Sequence, residues 1–319
     1  MPSDIRSASL SARWLYALKP GSWPKLLVPA VLGQALGASL TGRLDPLALA
    51  LGLGFTVCDL AFIVWLNDWA DRDVDRIKRD MFPDACSPKT IPDDILPARH
   101  LLLAGLAAGA LALGFGVVAA VLLRVPALGI FAVLNLVVFL AYSLPPIRAN
   151  YRGGGELLEM LGVGLLLPWW NSLAQCQQLW HSALSLLGGF TVLSLSSAIA
   201  SGLSDEESDR AGGKRTWVSL LGNAVGRRST ECLAWLGLLI WLGAMAFLPA
   251  TVPNWSVIAA AILGAYHLSA VHRCSDAAQS GELAQQGIYK LHVHRAIWYP
   301  ALVLVGGIVW TLFADGTSA

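Results

Sequence analysis

Residues 46–75 read PLALALGLGFTVCDLAFIVWLNDWADRDVD, an apolar run of helical length that ends in a dense acidic cluster. A second segment of this kind lies far along the chain, where the apolar run 182–202 is followed by DEESD at 205–209. Carboxylates are costly beside hydrocarbon, so clusters of them at the ends of apolar helices indicate a functional site. If the two clusters face one cavity, they would hold divalent cations, and those cations would hold a diphosphate.

The composition is that of a membrane protein. Hydrophobic residues make up 55% of the 319 residues and charged residues only 13%, whereas soluble domains carry about 25% charged residues. The mean hydropathy is +0.59. A net charge of +1 leaves no sign of nucleic-acid binding. Neither a disulfide framework nor a zinc site is suggested by the five scattered cysteines, which are Cys58, Cys86, Cys176, Cys232 and Cys274.

A helix that spans a bilayer needs about 20 mostly apolar residues. The chain predicts an all-α fold of nine such helices around a central cavity, with a cytoplasmic cap made by loops 67–98 and 203–230. A weak repeat of an Asp cluster followed by a basic, Thr-containing loop suggests two related halves, about 20–147 and 156–313, within a single domain 1–319. The predicted spans are 22–41, 46–66, 99–123, 126–147, 156–175, 182–202, 231–250, 254–272 and 296–313.

The basic residues predict the orientation. Of 22 Lys and Arg, only Arg43 and Arg124 fall in the short turns, and the other 20 lie on the side of the N-terminal tail and the long loops. This asymmetry predicts that the N-terminus and both acidic clusters are cytoplasmic and that the C-terminus is outside. No signal peptide is recognisable, and a compact chain of this kind fits a prokaryotic inner membrane.

The acidic residues are spaced to share helix faces. Residues four apart lie on one face of a helix, and carboxylates at a helix C-terminus are unfavourable without a cation, by about 0.3–1 kcal/mol each. Mg²⁺ prefers a few carboxylates together with waters and substrate phosphates, which suits such a site. The alternative is a solvated acidic loop. The candidate ligands are Asn67, Asp68, Asp71, Asp75, Asp205 and Asp209.

Several basic residues near the clusters are candidates for binding the remaining diphosphate charge. Each alone could instead be an orientation charge at the membrane face. Lys214 and Arg215 rank highest because they follow the second cluster closely. The full set is Lys89, Arg148, Arg152, Lys214 and Arg215.

These residues resemble the motifs of the UbiA superfamily of intramembrane prenyltransferases. The family's Asn-x-x-x-Asp-x-x-x-Asp motif reads here as Asn67, Asp71 and Asp75, and its Asp-x-x-x-Asp motif reads as Asp205 and Asp209. The stretch DRAGGKRT at 209–216 is similar to the continuation common in quinone-type members, and YSLPPIR at 142–148 followed by GGE at 154–156 is similar to the loop between helices four and five. The resemblance covers essentially the whole chain.

The resemblance implies an enzyme that transfers an isoprenyl chain from an allylic diphosphate to a small aromatic, quinone-precursor-like acceptor within the lipid bilayer. Two Mg²⁺ ions would bridge the Asp motifs and the diphosphate and act as Lewis acids on the leaving group. Tyr142 would stabilise the allylic cation or orient a phosphate. Asp59 lies on the same helix face as Asn67 and is expected either to contact the acceptor or a catalytic water or to make a structural hydrogen bond.

The chain also departs from the family pattern. Pro146 and Asn150 stand where many members have Lys, and SPKTIPDD at 87–94 replaces the usual Arg-Pro-x-x-Ser-Gly segment. Because that loop caps the active site of the family, an alternative activity is a membrane terpene cyclase, which ionises the same diphosphate but needs no acceptor. A third possibility is a non-enzymatic carrier that uses the acidic pair for cations.

Overall fold

The structure, a computed structural model, describes residues 2–314, and this part of the chain is α-helical with no β-strand. Each of the nine predicted apolar runs falls on a helix. In chain order the α-helices are α1 (Pro2–Ser7), α2 (Leu10–Ala17), α3 (Pro24–Thr41), α4 (Pro46–Ala70), α5 (Arg72–Met81), α6 (Ala98–Leu122), α7 (Ala127–Ser143), α8 (Gly155–Leu161), α9 (Leu167–Cys176), α10 (Ser185–Gly202), α11 (Glu206–Ala211), α12 (Trp217–Leu221), α13 (Asn223–Ala244), α14 (Asn254–Ser275) and α15 (Leu283–Ala314).

Seven stretches of helix in the described residues are long and apolar enough to cross a membrane. The first two are α4 and α6; a π-helical turn at Gly162–Leu166 joins α8 and α9 into a third; and the other four contain α10, α13, α14 and α15. The remaining two predicted spans correspond to α3, which is not among the seven, and to the apolar α7, which is shorter. An all-helical membrane-type bundle is therefore confirmed, and the count of nine spans stays a prediction.

Two hydrophobic clusters form the core of the bundle. One contains residues of α4, α6, α7 and α9, and the other contains residues of α10, α13, α14 and α15. Helix α3 contributes to both, since Leu26 belongs to the first cluster while Leu32 and Leu36 belong to the second. Helix α3 therefore packs against both groups of helices, and α9 belongs to the first.

Close packing between helices depends on small residues and on buried polar contacts. A Cβ atom added at Gly33 of α3 would lie 2.0 Å from the carbonyl oxygen of Pro168, so glycine is required for the approach of α3 to the α9 segment. Nearby, the side-chain amide of Gln34 donates to Asn171 Oδ1 at 2.7 Å. These contacts hold α3 against the α9 segment.

Candidate functional site

The first acidic motif lies where α4 passes into α5. The backbone N–H of Asp71 donates to the carbonyl of Asn67 at 2.9 Å, and that of Asp75 donates to the carbonyl of Asp71 at 2.8 Å, so the helical hydrogen-bond pattern continues through the junction. The side-chain amide of Asn67 donates to Asp71 Oδ2 at 3.1 Å. The predicted stripe on one helix face is therefore present.

The second motif begins in a 3-10 turn at Leu203–Asp205 and continues into α11. Helix α11 packs directly on α5, because a Cβ atom added at Gly212 would lie 2.5 Å from Val74 Cγ2. A side chain at position 212 would push apart the two helices that carry the aspartates. The packing of these two short helices is what brings the distant motifs together.

Lysine side chains bridge the two motifs. Lys214 Nζ lies 2.7 Å from Asp71 Oδ2 of the first motif and 3.7 Å from Asp209 Oδ1 of the second. Lys78 of α5 forms an ion pair with Asp205. Lys89, from the loop that follows α5, binds Asp75 at 2.6 Å. Both motifs therefore belong to one charged cluster.

Asp68, the neighbour of Asn67 in α4, extends the cluster toward the N-terminal segment. It forms an ion pair with Lys19 and accepts a hydrogen bond from Thr90 Oγ1 at 2.7 Å. The N-terminal helices hold the same loop, since Tyr16 donates from its hydroxyl to the carbonyl of Pro88 at 2.8 Å and Arg13 donates to the carbonyl of Ile95. Asp68 thus ties the site to the N-terminal segment and to the loop at 87–96.

Burial and charge oppose each other in this cluster. Burial raises the pKa of Asp71, and the nearby ammonium of Lys214 offsets part of that shift. Burial alone would lower the pKa of Lys214 and of Lys89, but the facing carboxylates outweigh it and hold both pKa values above the usual range. The two lysines therefore stay protonated at neutral pH, and the cluster keeps closely paired charges of both signs.

The donor set fits Mg²⁺ together with a diphosphate. Asp71 Oδ1 is buried and accepts no hydrogen bond from the described residues, and the other motif carboxylates face ammonium groups. Within residues 2–314 no three His, Cys, Asp or Glu side chains are grouped closely enough to hold a metal alone. Mg²⁺ is suited to such a site because it takes one or two carboxylates and completes its shell with water and phosphate oxygens.

The predicted basic residues divide into two groups. Lys214 and Lys89 contact the motif aspartates, and Arg148 lies nearby with its guanidinium 3.6 Å from the centre of the Tyr151 ring, a ring that Lys214 also approaches at 5.9 Å. The side chains of Arg152 and Arg215 are exposed at the surface, and the structure does not bring them to the carboxylates.

Two lysines of the cluster were missed by the sequence analysis, and local spacing could have identified one of them. Lys78 follows Asp75 by three residues and Asp71 by seven, so it lies on the motif face of α5. Lys19 offers no such signal, because it precedes its partner by 49 residues and reaches it through tertiary packing.

A cavity of about 280 Å³ opens beside the first motif and extends along the bundle interior. Its lining is mostly apolar, and it includes Asn67 at the motif end, Tyr142 and Asp59. Tyr142 stacks on Phe139 with ring centres 6.3 Å apart. Asp59 lines the cavity as its helical position predicts. Apolar lining residues include Leu26, Ile63, Val64, Val138, Leu158, Val163 and Leu167.

Comparison with known proteins finds relatives with similar sequences. The chain is 30% identical over 211 residues to a lycopene elongase/hydratase of Haloarcula japonica, covering 65% of this chain and 66% of that protein. It is 27% identical over 207 residues to a chloroplastic chlorophyll synthase of Oryza sativa subsp. japonica, covering 62% of this chain. The chain spans about half the length of that synthase, 52%.

Solved structures share the fold. A UbiA homolog from Archaeoglobus fulgidus, bound to DMAPP and Mg²⁺, superimposes with a TM-score of 0.66 at 17% identity, covering 92% of this chain and 99% of that one. An apo UbiA homolog from Aeropyrum pernix K1 gives 0.64 at 15% identity, covering 88% and 96%. The UbiA prenyltransferase family model matches residues 26–293. This integral membrane protein therefore belongs to the UbiA prenyltransferase family.

Proposed function

We propose that this protein transfers an isoprenyl chain from an allylic prenyl diphosphate to a small aromatic acceptor within the membrane. The observation that carries the proposal is the position of Lys214, which contacts Asp71 of one motif and approaches Asp209 of the other. The single charged cluster opens beside an apolar cavity that suits an isoprenoid tail. A lipid diphosphate has this combination of a charged head and an apolar chain.

Divalent cations would be held by carboxylates of both motifs, with Asn67 and Asp68 as further oxygen donors. Mg²⁺ is the family-typical ion, and the solved relative from Archaeoglobus fulgidus is bound to Mg²⁺ and DMAPP. We expect two ions. When bound, they would supply Lewis-acid stabilisation of the leaving diphosphate. The carboxylates that would hold them are Asp71, Asp75, Asp205 and Asp209.

The lysines of the cluster would neutralise the diphosphate. In the structure Lys78, Lys89 and Lys214 each pair with a motif aspartate. Once those carboxylates bind cations, the ammonium groups are free to turn to the phosphate oxygens. This exchange of partners keeps every buried charge compensated before and after binding, which limits the electrostatic cost of loading the site.

The side chains next to the cluster would guide the allylic group. Tyr142 and Phe139 line the cavity with their stacked rings, and ring faces attract positive charge. The surrounding apolar side chains exclude water, which would otherwise capture an allylic cation. Arg148, held over Tyr151 near Lys214, would add positive charge at the diphosphate end. Arg152 and Arg215 would act only at the rim.

The nature of the acceptor is supported by the named relatives. Besides the chlorophyll synthase, the chain is 26% identical over 220 residues to a 2-carboxy-1,4-naphthoquinone phytyltransferase of a Synechocystis strain. A quinone-precursor-like aromatic ring is therefore our proposed acceptor. The positive-inside asymmetry of the chain supports cytoplasmic Asp motifs, and we propose a prokaryotic inner membrane as the location.

Acceptor dependence tests the proposal. Purified protein is incubated with Mg²⁺ and allylic diphosphates of several chain lengths, and extracted products are analysed by mass spectrometry with and without a panel of aromatic acceptors. A mass gain of one prenyl group on an acceptor supports the transferase. A cyclic hydrocarbon formed without acceptor would contradict it and make the protein a terpene cyclase.

A further inference from the structure

Besides Lys19, Lys25 and Glu159, the lining of the cavity contains a carboxylate that lies away from the motif aspartates. Asp59 of α4 is 2% exposed, it lines the cavity, and its Oδ1 accepts no hydrogen bond from the described residues. A buried carboxylate without a partner is costly to a folded protein. An apolar residue would pack better at this point in the middle of a membrane helix, so the position of Asp59 points to a ligand.

The depth of Asp59 separates it from diphosphate chemistry. It precedes Asn67 by eight residues along α4, which places it about 12 Å farther from the motif end of the cavity at the α-helical rise of about 1.5 Å per residue. Lys89, Lys214 and the motif aspartates all lie at the other end. Asp59 is therefore positioned to meet the part of a substrate that extends into the apolar interior.

Asn135 of α7 is a further polar residue in the lining of the same cavity. It precedes Tyr142, another lining residue, by seven residues, or about 10 Å of helix. One N–H of its side-chain amide donates to the carbonyl of Phe131 at 2.8 Å, which leaves the other N–H as a donor and Oδ1 as an acceptor for a ligand. Both residues thus offer hydrogen-bond acceptors to the cavity.

We propose that Asp59 and Asn135 form a subsite that binds an O–H donor of the prenyl acceptor, and that Asp59 is the residue that determines specificity for it. Two acceptors in an apolar cavity favour a hydroxyl over a methyl group, because only the hydroxyl satisfies the buried oxygens. The inference rests on the proposed function and names the acceptor class as a hydroxylated, not purely hydrocarbon, molecule.

Ligand discrimination provides the test. Wild-type protein in nanodiscs is titrated with 1-naphthol and with 1-methylnaphthalene, which have similar size and differ in the donor. We expect at least a tenfold preference for 1-naphthol, a ratio near one in Asp59→Leu, and an intermediate ratio in Asp59→Asn, whose amide oxygen still accepts. No preference in the wild type, or an unchanged preference in Asp59→Leu, would overturn the proposal.

Stability separates a functional from a structural role. If Asp59 serves a ligand, Asp59→Leu should unfold at a higher temperature than the wild type, because it removes an unpaired buried carboxylate. A lower unfolding temperature with unchanged discrimination would mean a structural role. Thr56→Val is the matched control: Thr56 is buried on the same helix, bonds to the Gly52 carbonyl at 2.8 Å and does not line the cavity, so the preference for 1-naphthol should persist.

Two further readouts complete the experiment. The affinity for geranyl diphosphate in the presence of Mg²⁺ should differ less than twofold between Asp59→Leu and the wild type. If the wild type does not bind geranyl diphosphate at all, the proposed function fails, and not the assignment of Asp59. Incubation with the diphosphate alone distinguishes the source of the O–H group. If the wild type forms a prenyl alcohol and Asp59→Leu does not, water is the donor that Asp59 binds. If the two proteins form the same amount of alcohol, or none, and the wild type still prefers 1-naphthol, the donor is the hydroxyl of the acceptor.

Discussion

Lys78 illustrates how the site is built at the scale of single residues. The residue is 8% exposed, and its ammonium group pairs with Asp205, which is 127 residues away in the chain. Nothing in the local sequence singles out Lys78 as the partner of Asp205, because several opposite charges lie closer to it along the chain. The spacing of the aspartates was informative since one helix face links them, but partners across the bundle depend on packing that local patterns do not encode.

Replacing Lys78 should weaken diphosphate binding. In Lys78→Met we expect affinity for a prenyl diphosphate to fall about 10- to 150-fold, since a hydrogen bond to a charged group contributes about 1.5–3 kcal/mol. Isothermal titration in the presence of Mg²⁺ measures this. Arg76→Met is the matched control, because Arg76 is an exposed cation on the same helix. Equal losses in the two variants would show that general charge, and not the position of Lys78, matters.

At alkaline pH, the ion pairs of Lys214 should fail through loss of the lysine's proton. Its folded-state pKa is raised above the ordinary value of 10.5, so its stabilising contribution is fully present below about that pH and is lost as pH rises through the higher folded pKa. As the pH rises above 10, the unfolding temperature of Lys214→Met should therefore fall less than that of the wild type. Identical declines would contradict the assigned pairing with Asp71.

At the scale of elements, the junction of α5 with α11 determines whether two motifs become one site. Helix α4 ends at Ala70 and α5 begins at Arg72, and hydrogen bonds from Asp71 and Asp75 carry the helical pattern across the junction. The sequence predicted the shared face of the motif residues only on the condition that a helix continues through them. It could not predict that α11 would pack on α5 through Gly212, because a glycine in a polar loop is equally typical of a simple turn. Contacts between short helices depend on the shape of both partners.

Enlarging Gly212 should separate the motifs. In Gly212→Ala the new methyl group meets Val74 at 2.5 Å and the Ser208 carbonyl at 3.1 Å, and such overpacking costs about 1–3 kcal/mol. We expect a lower unfolding temperature together with reduced turnover. Gly114→Ala is the control, because nothing lies within 4 Å of the added atom. If Gly212→Ala behaves like this control, the helices do not approach as closely as described.

At the scale of the whole molecule, the excess of Lys and Arg and the charged cluster of the motifs lie at the same end of the helical bundle, the end predicted to be cytoplasmic. All nine apolar runs were predictable because their length and composition follow from the bilayer. The count of nine spans stays a prediction, since α3 contains Lys25 and Gln34 within its length and α7 has only 17 residues. Helices that pack inside a bundle can be shorter or more polar than helices that face lipid.

Labelling from one side of the membrane should confirm this polarity. In a cysteine-free background, a membrane-impermeant maleimide applied outside should label Arg43→Cys in intact cells. The same reagent should label Ala85→Cys, in the loop after α5, only after permeabilisation. Both positions are exposed in the structure. Labelling of Ala85→Cys in intact cells would place the aspartate motifs on the outer face and reverse the predicted orientation.

The most direct test of the central claim, that both Asp motifs form one Mg²⁺–diphosphate site, is Mg²⁺-dependent pyrophosphate release from an allylic diphosphate. We expect release by the wild type with a suitable acceptor, and a loss of at least about 1,000-fold in both Asp71→Asn and Asp205→Asn, with the folded state retained. Undiminished release in either variant, or equal release by the wild type after chelation of divalent ions, would contradict the account.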